Sequence, residues 1–260
     1  MSLKMKITGI LIIIIVTSSI LISAAGHVVL LEGKATDINT GQDLKIKIYF
    51  VDSFGKRIPF QTNSKDGKYS QTFNSGDTYL IIAEKYLPAA EDRVYFLVSH
   101  AEYLEIRKDF KFTKLEEGLK ITSFNSFHPN ETTITPEAKE TLQWFKHYIA
   151  VNKTVNFIFT LNSSDSYLPP TTKKVDVQVK GKTKTKTVKV TTEERLKIFL
   201  NERIEVLKNY LSNNDIPLRN IEFRTITKAG KAPATGKKKK TQEQHPVDNL
   251  TITSGKVLNL

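Results

Sequence analysis

A chain of 260 residues with 39% hydrophobic and 25% charged residues has the length for two modest globular domains and a composition ordinary for both. The formal charge of +12 is not spread evenly. Residues 171–190 hold seven Lys against one Asp, and residues 228–240 hold six Lys and no acid, so these two stretches account for the whole excess. Neither has interleaved aromatic residues, which disfavours nucleic acid as partner and favours an anionic surface that meets the basic hairpin and tail. The sequence contains no Cys, which excludes disulfides, thiolate metal sites, a Cys nucleophile and a lipid-modified N-terminal Cys.

The chain begins like an export leader. Lys4 and Lys6 form a positive start, Ile7–Ile22 is an uncharged aliphatic run, and Ser23-Ala24-Ala25 supplies small residues of the kind a signal peptidase requires. Residues 1–25 thus read as a signal peptide or, uncleaved, as a single-span membrane anchor. Both outcomes put the rest of the chain in the periplasm, associated with the cell envelope.

Short strands punctuated by turns follow over residues 28–115. Lys45–Val51 reads as a strand, Asp52-Ser53-Phe54-Gly55-Lys56 as a turn, and Asp66-Gly67 as a hairpin turn before Lys68–Phe73. Asn74-Ser75-Gly76-Asp77 turns the chain again before Tyr79–Ala83. This spacing predicts a small β-sandwich. The words Glu32-Gly33-Lys34-Ala35-Thr36-Asp37, Asp66-Gly67-Lys68-Tyr69 and Gly76-Asp77-Thr78-Tyr79-Leu80 resemble carboxypeptidase-regulatory-like, transthyretin-type sandwiches, a resemblance that implies a rigid spacer or docking module.

The period changes after residue 121. Thr135-Pro136-Glu137 is a helix start, with Ala138, Leu142, Phe145 and Ile149 on one face. Val155, Phe157, Phe159 and Leu161 alternate along a strand. Lys174–Val179 and Thr185–Val190 flank Lys180-Gly181-Lys182 as a basic β-hairpin, inserted at about 168–191. Leu196, Leu200, Ile204, Leu207 and Leu211 mark a second amphipathic helix, Ile221–Ile226 a last strand, and residues 228–260 a basic, disordered tail.

Phe124-Asn125-Ser126, Ile134-Thr135-Pro136-Glu137-Ala138 and the run Phe199-x-x-x-Arg203-Ile204-x-x-Leu207-x-x-Tyr210-Leu211, followed by Asp215-Ile216-Pro217, resemble the OmpA C-terminal, peptidoglycan-binding family over residues 121–227. The resemblance implies a β-α-β-α-β domain, so the fold class expected for the chain is α+β. It also implies a ligand: in that family a loop Asp and a helical Arg hold the diaminopimelate of the peptidoglycan stem peptide. Arg203 stands at the place of that Arg, one residue off the apolar stripe at a border position that can reach a cleft. The family's Gly-His-Thr-Asp loop is not matched; Asn162, Ser163, Ser164 and Asp165 occupy its place, with Asp165 late by one or two positions. Ligand-binding residues implied are therefore Arg203, Asp165, Ser163, Ser164 and Asn162. The five His residues lack metal-ligand spacing and no phosphate loop or nucleophile elbow occurs, so no catalytic residue, metal or cofactor is expected. A flagellar-stator-type reading drops out because Ile7–Ala25 has no ionisable residue to carry protons. What results is a non-enzymatic envelope tether or scaffold that meets peptidoglycan and an envelope protein. The alternative is a structural component of a larger assembly whose second domain has lost peptidoglycan binding and serves protein–protein contacts.

Overall fold

In the computed structural model, residues 28–100, 102–179, 182–228 and 249–257 are described. The leader and most of the Lys-rich tail lie outside them. Two compact units are formed: one runs to Ile81 and takes in Pro88–Phe112, the other comprises Ile82–Leu87 and Thr113 onward.

The first unit holds most of a nine-stranded sheet. Its strands are β1 (Val28–Asp37), β2 (Lys47–Val51), β3 (Arg57–Gln61), β4 (Lys68–Asn74), β5 (Thr78–Ala83), β6 (Tyr86–Pro88), β7 (Val94–Phe96), β8 (Leu104–Arg107) and β9 (Phe110–Lys114). The main order is β3-β2-β5-β6-β9-β1-β4, with β7 on β5 and β8 on β1. Strand β1 alternates as a strand with one inward face must: Val29, Leu31 and Ala35 are fully buried. It runs antiparallel to β4 and parallel to β8 and β9. The turns behave as their residues demand. Asp52 Oδ1 accepts from the backbone N–H of Phe54 and Lys56 at 3.0 and 2.8 Å, and Gly67 sits at φ +62° before β4. The core is aromatic, with Phe50 4.5 Å from Phe73 and 5.4 Å from Phe60 between ring centroids. Asp92 is buried in this unit, accepting from the Lys111 N–H at 2.9 Å and pairing with Lys108 at 2.6 Å.

The second unit contains β10 (Lys120–Phe124), helix α1 (Pro136–Val151), β11 (Val155–Asn162), β12 (Thr171–Val179), β13 (Lys182–Val190), helix α2 (Thr192–Asn213), β14 (Ile221–Ile226) and β15 (Leu250–Val257). Its four-stranded sheet has the order β10-β15-β11-β14, in which β15 is antiparallel to both neighbours and β11 is parallel to β14. The hairpin β12–β13 forms a separate two-stranded sheet.

Both helices begin where their caps place them. Thr135 Oγ1 accepts from Ala138 N–H at 3.1 Å ahead of Pro136, and Thr191 with Glu194 closes a capping box. Ala138, Leu142, Phe145 and Ile149 are buried on α1, and Phe145 packs edge-on against Phe157 and Phe159 of β11.

The expected fold class, an α+β chain of β-sandwich plus β-α-β-α-β domain, is corrected by this architecture. The described residues are mostly β, with 46% of them in strands and 21% helical, and only two α-helices occur among them. The first-unit strands join in one curled sheet rather than a sandwich. In the second unit a further strand, β15, enters the middle of the sheet from a segment whose composition predicted disorder. Its physical basis is alternation: Leu250, Ile252 and Ser254 are buried between β10 and β11. No described helix is long and apolar enough to cross a membrane.

Candidate functional site: a buried Arg203–Asp165 pair

Arg203 points inward from α2 and has no exposed surface. The helical spacing placed it at a border position; the structure places it on the buried face, between Phe199 and Phe127. Its guanidinium carbon lies 4.4 Å from the Phe199 ring centroid and 4.9 Å from that of Phe127. An arginine can be buried only if its donors are satisfied, because a charge removed from water without partners is prohibitively costly.

Here the partners come from two loops. Nε donates to Glu131 O at 2.8 Å and Nη2 to His128 O at 2.8 Å. Nη1 and Nη2 donate to the two carboxylate oxygens of Asp165 at 3.1 and 2.9 Å, a fork-on-fork pair. The Asp165 side chain is 5% exposed.

The loop that offers the His128 and Glu131 carbonyls is pinned at its base by the Phe127–Ile134 bridge. Asn130 turns at φ +60°, its N–H donates to Ser166 Oγ at 3.2 Å and its side chain accepts from Tyr167 N–H at 2.9 Å. Thus the two loops are tied to each other as well as to Arg203. A third segment closes the cluster. Asn249, just before β15, donates to Asp165 Oδ2 at 3.2 Å, Asn125 Oδ1 at 2.6 Å and Phe127 O at 2.9 Å. Its side-chain Oδ1 accepts from the Ser126 N–H and hydroxyl, both at 2.7 Å.

Of the residues implied by the resemblance, Asp165 meets Arg203. Ser163 is fully buried and its hydroxyl is engaged elsewhere, donating to Lys228 O at 2.8 Å and accepting from Lys228 N–H at 3.0 Å. Ser164 and Asn162 bond to each other, with the Ser164 N–H 3.1 Å from Asn162 Oδ1. These three finish the end of β11 and secure the chain after β14. Sequence reasoning missed Asn249, Asn130, Phe127 and the two backbone carbonyls. Asn130 after Pro129 was a turn signal, and Asn249 stands immediately before an alternating segment; the carbonyls left no signal.

The Ser166 hydroxyl donates to Asp165 Oδ1 at 3.2 Å, and among the described residues no group of His, Asp and Glu is placed to hold a metal ion. The first unit carries an open groove lined by Glu32, Lys34, Lys68, Tyr69 and Arg107. Two of its cations are paired, Lys34 with Asp43 at 3.2 Å and Lys68 with Asp66 at 3.0 Å.

The chain matches no family model and no curated protein. One solved structure with partial similarity is the Bacillus anthracis TIE protein, at 13% identity and a TM-score of 0.25. The match covers 63% of this chain and 26% of that one, so this chain spans about a quarter of its length. Likeness at that level carries no argument about fold or function.

Proposed function

We propose that this chain is a non-enzymatic scaffold of the bacterial cell envelope, acting through protein–protein contacts, in which the Arg203–Asp165 pair is an internal clasp. The observation that carries this reading is the burial of Arg203 with its donors directed at Asp165, His128 and Glu131. A guanidinium that grips a stem-peptide carboxylate must present its fork to solvent; this one presents it to the protein. The leader-like start and the absence of Cys support export with non-covalent attachment.

A second reading, a tether that binds peptidoglycan, is favoured by one observation. The two residues that the resemblance assigns to the ligand lie within hydrogen-bond distance of each other. On that reading a stem peptide would displace the Arg203–Asp165 contact on entry.

Sedimentation with purified sacculi separates the two. On the scaffold reading the wild-type protein stays in the supernatant, and Arg203→Met unfolds at clearly lower denaturant. Wild-type protein that pellets, together with a folded Arg203→Ala variant that does not, would replace the scaffold reading with the tether.

A further inference from the structure

The hairpin β12–β13 is a long ladder without a second layer. Its register runs from Thr171 opposite Val190 to Val179 opposite Lys182, and it joins neither of the larger sheets. A two-stranded hairpin alone buries too little to be independently stable in water, so a ladder of this length implies a covering surface.

Its two faces differ in chemistry. One carries the cross-strand pairs Thr172–Lys189, Lys174–Thr187, Asp176–Thr185 and Gln178–Thr183. That face is bonded within itself, Thr185 donating to Asp176 at 2.7 Å and Gln178 to Thr183 at 2.9 Å. The other face carries Lys173–Val188, Val175–Lys186 and Val177–Lys184, so each of these three valines is opposite a lysine, while Val190 is opposite Thr171. The three lysines are exposed, and so is Val188, at 38%. This face is apolar and cationic at the same positions.

We infer that the Val/Lys face of this hairpin docks on the anionic headgroup surface of a lipid bilayer. Charge complementarity selects an anionic partner, since this face carries Lys173, Lys184 and Lys186 and no acidic residue. The valines select a bilayer over a soluble polyanion, because a polymer offers charge but no apolar boundary in which to bury them. Lysine stems lie along such a boundary while their ammonium groups stay among the headgroups. The polar face, with its internal bonds, is left toward water. This inference goes beyond the scaffold reading and is independent of Arg203.

The test is flotation of the full chain with phosphatidylcholine vesicles with and without phosphatidylglycerol. Two triple variants are compared: Lys173→Gln/Lys184→Gln/Lys186→Gln, and Val175→Thr/Val177→Thr/Val188→Thr, which keeps charge and strand propensity. The apolar start of the chain is the same in all three proteins, so differences among them report on the hairpin. The lysine variant is expected to lose about a hundredfold in partitioning onto phosphatidylglycerol vesicles, at roughly fivefold per charge. The valine variant is expected to lose about tenfold there and nothing in binding to heparin, a soluble polyanion. A valine variant that binds vesicles like wild type, or a lysine variant that does so, overturns the inference. Loss by the lysine variant alone, equal on vesicles and heparin, assigns the hairpin to anionic polymers instead.

Discussion

Asn249 donates a hydrogen bond to Asp165 across 84 positions of sequence, and Asp165 in turn holds the guanidinium of Arg203. The entry to the central strand β15, the loop after β11 and helix α2 are thereby joined through three polar side chains that are all buried or nearly so. Packing alone would let β15 slide along its neighbours; a bonded amide at its first turn of register fixes where it enters. The cluster therefore acts on topology before it acts on any ligand.

Breaking this pair from one side leaves a buried charge without its partner, which costs about 3–5 kcal/mol. Arg203→Met and Asp165→Leu are each expected to lower unfolding free energy by about that amount in urea titrations. The double substitution is expected to cost less than the sum, because no charge is then stranded. A cost below about 0.5 kcal/mol for Arg203→Met would show that the clasp contributes nothing to stability.

Asn249 offers a sharper probe, because Asn249→Asp is nearly isosteric. The substitution removes the donors to Asp165, Asn125 and Phe127 and sets a second carboxylate beside Asp165. The expected loss is about 2–4 kcal/mol at neutral pH, partly recovered on acidification as the new pair is allowed to share a proton. Melting midpoints at several pH values check this; a loss that grows on acidification would contradict it.

The elements with strong local signals were legible in the sequence. Thr135-Pro136 begins one helix, the stripe from Leu196 to Leu211 marks the other, and Val155–Leu161 alternates into the core. The basic hairpin, too, forms where its lysine-and-valine alternation put it. Three things were not legible. Strand β15 was hidden because the lysine run before it dominated the composition of the whole tail. The curled first sheet depends on which strand edges pair, and edge pairing leaves no mark on alternation. At the site, spacing placed Arg203 beside the apolar stripe but could not say whether the rotamer turns it in or out. That choice rests on Phe127, Asn249 and two backbone carbonyls, which lie 46 to 76 positions away and become neighbours only in the fold.

Gly33 marks a second tight point, in the first unit. A Cβ on this residue would lie 1.8 Å from the Lys108 carbonyl oxygen, a backbone atom that cannot rotate aside. The contact comes from the close approach of the Lys108 backbone to β1, where Lys108 N–H also donates to Glu32 O at 2.9 Å. Gly33→Ala is expected to destabilise the first unit by about 2 kcal/mol or more, as overpacking against fixed atoms does. Gly41→Ala, where nothing lies within 4 Å, is the control: it bears only the strain of its φ of +70°. Equal melting points for Gly33→Ala and wild type would be inconsistent with this packing.

The capping box of α2 gives a pH signature. The Glu194 carboxylate accepts from the Thr191 N–H at 2.8 Å and hydroxyl at 3.0 Å, and the backbone bond above all holds its pKa below the ordinary glutamate value. A depressed carboxylate favours folding in its charged form. The contribution is present above the unfolded-state pKa and is lost as pH falls through the lower, folded-state one. Glu194→Gln should remove that component. The gap in denaturation midpoint between wild type and variant should be open at about pH 6 and narrow toward about pH 3. A gap that widens on acidification would assign the stabilisation to something other than the charged cap.

Composition alone marks everything after Lys228 as dispensable, and on that view truncation there leaves the melting transition unchanged. The structure requires the opposite. Strand β15 lies between β10 and β11, so removing it strips the β10 edge of its partner, opens one edge of β11, and exposes the surface that Leu250 and Ile252 cover. It also removes the Asn249 amide from Asp165 and Ser126, together with the Ser254 hydroxyl that donates to Glu116 O. Two buried aliphatic side chains contribute about 3–6 kcal/mol between them, and the lost ladder bonds add to that. Against a typical domain stability of about 5–15 kcal/mol, such a loss is enough to unfold the second unit. A chain ending at Lys228 should therefore lose the near-ultraviolet circular dichroism of Trp144 and be cut by protease within α1 and α2. Supplying residues 249–257 as a separate peptide should restore part of that signal. A truncated chain with unchanged near-ultraviolet spectrum and melting point would show that β15 is not part of the folded sheet.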